Sequence, residues 1–159
     1  MRYVSWAAFL FLLVLGACLA IGCSEKSTGP DSNPPPSPGK HLWSKCFGDG
    51  SDQYAIAVAV DASRNLIVAG YFEGTLDFGG GVLTSAGAND IFVAKFGSDG
   101  AHLWSKRFGD GSDQAASAVA VDASGNVIVT GVFRGTVDFG GGGLTSAGVE
   151  DIFVAKFGR

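Results

Sequence analysis

The residues best equipped for chemistry occur in pairs 61 positions apart. Gly48-Asp49-Gly50-Ser51-Asp52 and Gly109-Asp110-Gly111-Ser112-Asp113 each set two carboxylates around a serine hydroxyl, as a calcium loop would. An EF-hand loop also needs oxygen ligands at further alternate positions and a late bidentate glutamate. Gln53-Tyr54-Ala55 follows instead, so these turns are expected to satisfy their own backbone and to hold no metal. His41 and His102 are the only histidines, one to each copy, beside Trp43 and Trp104. Zinc needs several nitrogen or sulfur ligands close together, so neither a metal nor another cofactor is expected. Trp43, Trp104, Asp49 and Asp110 remain as the residues a binding surface would use, with a glycan as one class of ligand.

Asp77-Phe78-Gly79 and Asp138-Phe139-Gly140 spell the metal-binding triplet of protein kinases. The glycine loop, strand lysine and catalytic loop that a kinase also needs are missing. These aspartates are expected to bond the backbone of the glycine turn that follows them. No Ser-His-Asp set and no G-x-S-x-G elbow stands out, so no catalytic residue is assigned and enzymatic activity is not expected. A residue present in both copies is needed by each, which points to packing and turns. One active site would show as differences between the copies. Cys46/Arg107, Tyr54/Ala115, Ile56/Ser117, Arg64/Gly125, Glu73/Arg134 and Asn89/Glu150 differ, and they make no catalytic set.

The pairs exist because residues 41 to 98 align with 102 to 159 without a gap, identical at 45 of 58 positions. Repetition on this scale means an array of equivalent units, here 41–101 and 102–159. Each unit reads as four strands. Ala55 to Val60 is apolar at both alternating sets and is expected to be buried on both faces, and Leu66 to Phe72 is a second apolar run. Leu42 to Phe47 and Ile91 to Phe96 are less apolar, and a lysine in each places them near solvent. Runs of this length, rich in β-branched and aromatic residues and bounded by Gly, Asp and Ser, are antiparallel β-structure. The turn Asp122-Ala123-Ser124-Gly125-Asn126 has glycine where a tight hairpin needs a left-handed residue. Arg64 stands at that place in the first copy and should hold positive φ at a cost of about 1 kcal/mol.

Ala118-Val119-Ala120-Val121-Asp122-Ala123-Ser124-Gly125-Asn126-Val127-Ile128-Val129-Thr130-Gly131, with Asp151-Ile152-Phe153-Val154-Ala155-Lys156-Phe157, resembles the bacterial SBBP repeat, a β-propeller repeat related in pattern to NHL repeats. The resemblance covers both copies and implies an all-β fold of four-stranded propeller blades. It departs from the pattern at Glu73 to Asn89, between the second and third strands. Thr75 to Phe78 and Val82 to Ser85, parted by Gly79-Gly80-Gly81, would make a small extra hairpin there.

The N-terminal segment belongs to targeting. After Arg2, Val4 to Ile21 is an almost unbroken apolar run of the kind found in secretory signals. Leu19-Ala20-Ile21-Gly22-Cys23 then resembles the lipobox of bacterial lipoproteins, which implies a signal peptide over 1–22 and acylation of Cys23. Leu15-Gly16-Ala17-Cys18 is the alternative, with lipid on Cys18. Two or more acyl chains anchor a protein stably where one does not, so a cell-envelope location follows. Ser24 after the cysteine is compatible with an outer-membrane lipoprotein, and a periplasmic or extracellular site is the other reading. Residues 23–40 hold all five prolines and read as an extended tether. Loss of residues 1–22 removes Arg2 and no acid, taking the formal charge from −4 to −5. An acidic surface argues against nucleic acid as a partner and leaves an unknown protein or a glycan. With Cys18 and Cys23 in the leader and anchor, Cys46 has no disulfide partner. Two blades leave two apolar faces open, whereas propellers close with four to eight. A homo-trimer or homo-tetramer closing a ring is therefore expected.

Overall fold

The computed structural model describes residues 37–159. Cys18, Cys23, the signal peptide and nearly all of the tether lie outside the described residues. Eleven strands make up the rest, all joined antiparallel, with no helix among the described residues. Strands β1 (Gln53–Val60), β2 (Leu66–Phe72), β5 (Asp90–Phe96) and β6 (His102–Phe108) form a four-stranded sheet in that order. Strands β7 (Gln114–Val121), β8 (Val127–Phe133) and β11 (Asp151–Phe157) form a second sheet of the same design with three strands. The insertion is a hairpin in both copies, β3 (Thr75–Asp77) with β4 (Val82–Thr84) and β9 (Thr136–Asp138) with β10 (Gly143–Thr145). The sheets are thus offset from the sequence repeat by one strand. β6 has the sequence of the second copy but closes the sheet of the first.

The two sheets stack face to face. Ile67, Ala69, Ile91 and Val93 on one face of the first sheet meet Val127, Val129, Phe133, Phe153 and Ala155 on the second, and all are buried. The opposite face of the first sheet is partly closed by its own hairpin, where Leu76 and Phe78 pack on Phe72, Phe92, Ala94 and Phe96. A fully buried side chain of this size stabilises by about 1.5 to 3 kcal/mol, so this stack supplies most of the apolar burial. Two glycines make the central strands possible. A Cβ on Gly70 or Gly131 would fall about 2 Å from the carbonyl oxygen of Tyr54 or Ala115, beside the irregularity where the inner strand shifts register.

Three expectations need correction. Ala55 to Val60 is not buried on both faces: Val58 is 62% and Val60 61% exposed, because β1 lies against β7 on one side and no described residue covers these valines on the other. Ile91 to Phe96 is not near solvent, since every residue of β5 is buried between β2 and β6 and under the second sheet. Its Lys95 is paired there with Asp61, 2.9 Å away. In the second copy the equivalent pair, Lys156 and Asp122 at 2.7 Å, is largely open to solvent. Leu42 to Phe47 is in no strand, although its twin forms β6.

The hairpin turns repeat with one exception of residue type. Asp61 and Asp122 each accept the N–H two residues on and both the N–H and side-chain amide of the following asparagine. Gly125 has φ +83° and Arg64 has φ +65°, so the arginine is held in the left-handed region where glycine is at home. Its side chain is exposed and makes no polar contact in the described residues. Arg64→Gly should raise stability by about 0.5 to 1 kcal/mol. A urea midpoint that is unchanged or lowered would show that the arginine makes a compensating contact.

Candidate functional site

The repeated acidic turns are clamps. Asp110 Oδ1 accepts the Ser112 N–H at 2.8 Å and Gln114 Nε2 at 2.7 Å, while Oδ2 accepts the Thr136 N–H at 2.7 Å. Asp49 does the same with Ser51, Gln53 and Thr75, adding the Thr75 hydroxyl at 2.7 Å. Each carboxylate thereby ties the loop before the inner strand to the start of the inserted hairpin. The Thr75 hydroxyl, then the N–H groups of Ser51 and Thr75, hold Asp49 far below the usual carboxylate range. Burial opposes ionisation of Asp110, but the N–H groups of Ser112 and Thr136 and the Gln114 amide outweigh it and its pKa is also lowered. Asp77 and Asp138 accept two N–H groups each from their glycine turns.

The tryptophans lie at the other end of the sheets. Trp43 Nε1 donates to the Ser98 carbonyl at 3.0 Å and its ring covers Gly100, both in the turn between β5 and β6. Asp49 grips Thr75, just past the end of β2 that pairs with the start of β5. Trp43 with Asp49, and Trp104 with Asp110, therefore do not come together in one site. His41 and His102 each contact a serine three residues on, at 3.2 and 3.1 Å.

What the fold does bring together is a set of positions at which the copies differ. A groove of about 260 Å³ runs along the seam between the sheets at the end where β2 and β8 finish and β7 begins. Tyr71 and Asn89 come from the first sheet and its hairpin loop, Asp113, Gln114, Ala115, Val132, Arg134 and Glu150 from the second. Six of these eight occupy repeat positions that differ between copies, Asp113 and Gln114 being the exceptions. The Gln114 N–H donates to the Asn89 carbonyl across the seam at 2.8 Å. Arg134 stands between Asp113 at 3.7 Å and Glu150 at 3.5 Å, all three about half exposed. Such open pairs add little to stability and leave the guanidinium and both carboxylates available to a ligand. Tyr71 leans on Tyr54, its cross-strand partner, with ring centroids 5.0 Å apart. Sequence reasoning noted Tyr54/Ala115, Glu73/Arg134 and Asn89/Glu150 as differences, but strand-end positions far apart in the chain gave no sign that they meet.

No family model matches the chain. In an alignment of 110 positions that covers 58% of its length, it is 28% identical to an uncharacterized WD repeat-containing protein of Acanthamoeba polyphaga mimivirus, and the match spans 8% of that protein. Stacked antiparallel sheets and this similarity together make the chain an all-β protein of propeller-type repeats, with no closed barrel among the described residues.

Two outcomes follow from the clamps. Gln114 is buried, bonds Asp110 twice and also donates to the Arg134 carbonyl at 2.9 Å. Gln114→Ala should therefore cost about 2 to 3 kcal/mol, whereas Gln53→Ala, whose groups water can reach, should cost about 1 kcal/mol or less. Equal losses in urea melts would contradict the clamp's dependence on burial. The second outcome concerns acid. Asp49, Asp61, Asp110 and Asp122 are all lowered in the folded state, Asp61 and Asp122 chiefly by hydrogen bonds from Lys95 and Lys156 and then by their asparagines. A carboxylate depressed by folding contributes stability above its unfolded pKa of about 3.9 and loses it as pH falls through the folded value. The urea midpoint should hold from neutral pH to about pH 5 and drop steeply below about pH 4. Asp122→Asn should shallow that drop.

Proposed function

We propose that this chain is an exported, lipid-anchored interaction scaffold of the SBBP type that engages a protein partner at the seam groove. The observation that carries the reading is the concentration of copy differences around that groove. Packing and turn residues recur in both copies because each sheet needs them, whereas six of eight groove residues are free of that constraint. Tyr71, Arg134 and the flanking carboxylates offer the aromatic and guanidinium contacts on which protein interfaces commonly concentrate their energy.

A glycan is the second reading, and one observation favours it. The groove sets an aromatic ring beside the planar polar groups of Asn89, Asp113, Arg134 and Glu150, which can bond neighbouring hydroxyls while a sugar ring lies on Tyr71. The lipid on Cys23 would tie the chain to an outer-membrane or other envelope surface, and further copies would cover the open sheet faces.

Two measurements test this. Labelling of cells with a palmitate analogue should mark the chain, and Cys23→Ala should abolish the label; loss on Cys18→Ala instead would move the anchor upstream. The purified chain should capture an envelope protein in a manner lost on Arg134→Ala with Glu150→Gln. Capture that survives both substitutions would refute the groove, and saturable binding of a saccharide lost with the same pair would decide for the glycan.

A further inference from the structure

Segment 41–47 already lies where the outer strand of a preceding blade would lie. Phe108 of β6 inserts beneath the second sheet, its ring centroid 5.1 Å from both Phe139 and Phe157. Phe47 makes the same contacts with the first sheet, 5.0 Å from Phe78 and 5.5 Å from Phe96. The His41 to Ser44 contact repeats that of His102 to Ser105. β6 meanwhile pairs along its edge with β5. Segment 41–47 pairs with no strand among the described residues.

A matching vacancy exists at β11. Its sequence, Asp-Ile-Phe-Val-Ala-Lys-Phe, is identical to that of β5. β8 pairs with one edge of β11 and no described strand pairs with the other. The side chains that β5 buries under a neighbouring sheet are bare on β11. Ile91 is 0% exposed and Ile152 80%; Val93 is 1% exposed and Val154 69%. On the opposite flank Val58 and Val60 of β1 are bare in the same way.

We propose that the occupant of both sites is a second copy of this chain, docked head to tail. Segment 41–47 of one copy adds to the free edge of β11 of the next, in the register that β6 takes on β5. The uncovered face of the second sheet then meets the uncovered face of the neighbour's first sheet, repeating the contact made once inside each chain. The fit is argued from identity, because the edge that accepts His-Leu-Trp-Ser-Lys in the first sheet recurs in β11 and the same five residues recur in 41–45. The contact is heterologous, and repeating the rotation from one blade to the next would close it into a ring. Three copies give six blades and four give eight, within the range in which propellers close. The proposal rests on the propeller reading but not on the groove.

The register singles out one residue. β5 pairs Phe92 with Arg107, and Arg107 Nη1 reaches the buried Asp90 at 2.6 Å. Asp90 also accepts the Ala86 N–H at 2.5 Å, and Asp151 accepts the Ala147 N–H at 2.6 Å in the same pose. In the assembled state Cys46 would stand where Arg107 stands, leaving Asp151 without a guanidinium. Cys46→Arg should therefore tighten the assembly.

The mass of the purified full chain at micromolar concentration, by light scattering in mild detergent if it is acylated, tests the proposal. Three or four chain masses are expected. Ile152→Lys with Val154→Lys should return it to one chain mass without loss of β-structure by circular dichroism, since both side chains are already exposed. Ser44→Pro with Lys45→Pro should do the same, because adjacent residues direct their N–H groups to opposite edges and one must lie on the pairing edge. Cys46→Arg should lower the dissociation constant about tenfold, the scale of a hydrogen bond to a charged group. A monomeric wild type, a polydisperse mass, or either double variant keeping the wild-type mass overturns head-to-tail closure, and an unaltered constant for Cys46→Arg overturns the register. Arg134→Ala with Glu150→Gln should leave the mass unchanged, which separates failure of the groove from failure of the ring.

Discussion

A sheet of four short strands has two apolar faces, and its own hairpin can cover only part of one. Everything else in this protein depends on that constraint. The first sheet solves it on one side by lying against the second, and the buried row Ile67, Ala69, Ile91 and Val93 is the result. Of the same row in the second copy, Ile128 and Thr130 are partly buried and Ile152 and Val154 are bare. Side chains of one type and one local conformation thus range from fully buried to nearly bare according to what stands opposite. Lys95 and Lys156 show the electrostatic side of the contrast, because the same ion pair is enclosed in one copy and open in the other.

The acidic turns serve that stack by fixing what the strands cannot. Strand pairing sets the distance between neighbours in a sheet but not the angle at which an inserted hairpin folds over its face. Asp49 and Asp110 set it, by collecting N–H groups from the loop ahead of the inner strand and from the first residue of the hairpin. Phe78 and Phe139 are thereby delivered onto the sheet, where they meet Phe92 and Phe153 at centroid distances of 5.2 and 4.8 Å. Protein donors reach both oxygens of Asp49 and of Asp110, which is what holds each hairpin in place.

Local pattern carried the strands, the extra hairpin and the left-handed Arg64 into view, since each is set by residues adjacent in the chain. It failed where a neighbour two sheets of sequence away decides the outcome. The alternating Ala and Val of β1 read as doubly buried, yet whether the valines are covered depends on a blade that would stand before the first. Lys95 read as a mark of solvent because the sequence does not show Asp61 waiting across the sheet. The groove escaped for a related reason. Tyr71, Asn89, Arg134 and Glu150 are scattered over 80 residues of chain, and only the stacking of the two sheets gathers them.

The offset between sequence repeat and sheet has a consequence for how such a gene can change length. β6 is encoded with the second copy but completes the first sheet, so the junction between the copies is bridged by a strand that belongs to both sides. Recombination that inserts or deletes one period of 61 residues, wherever it cuts, therefore adds or removes one whole blade and leaves each remaining edge with the partner it had before. Near-identity of the copies makes such exchange easy, and the one-strand phase shift makes its products foldable. The geometry of the sheet thus makes blade number a heritable variable that can drift without passing through a broken intermediate.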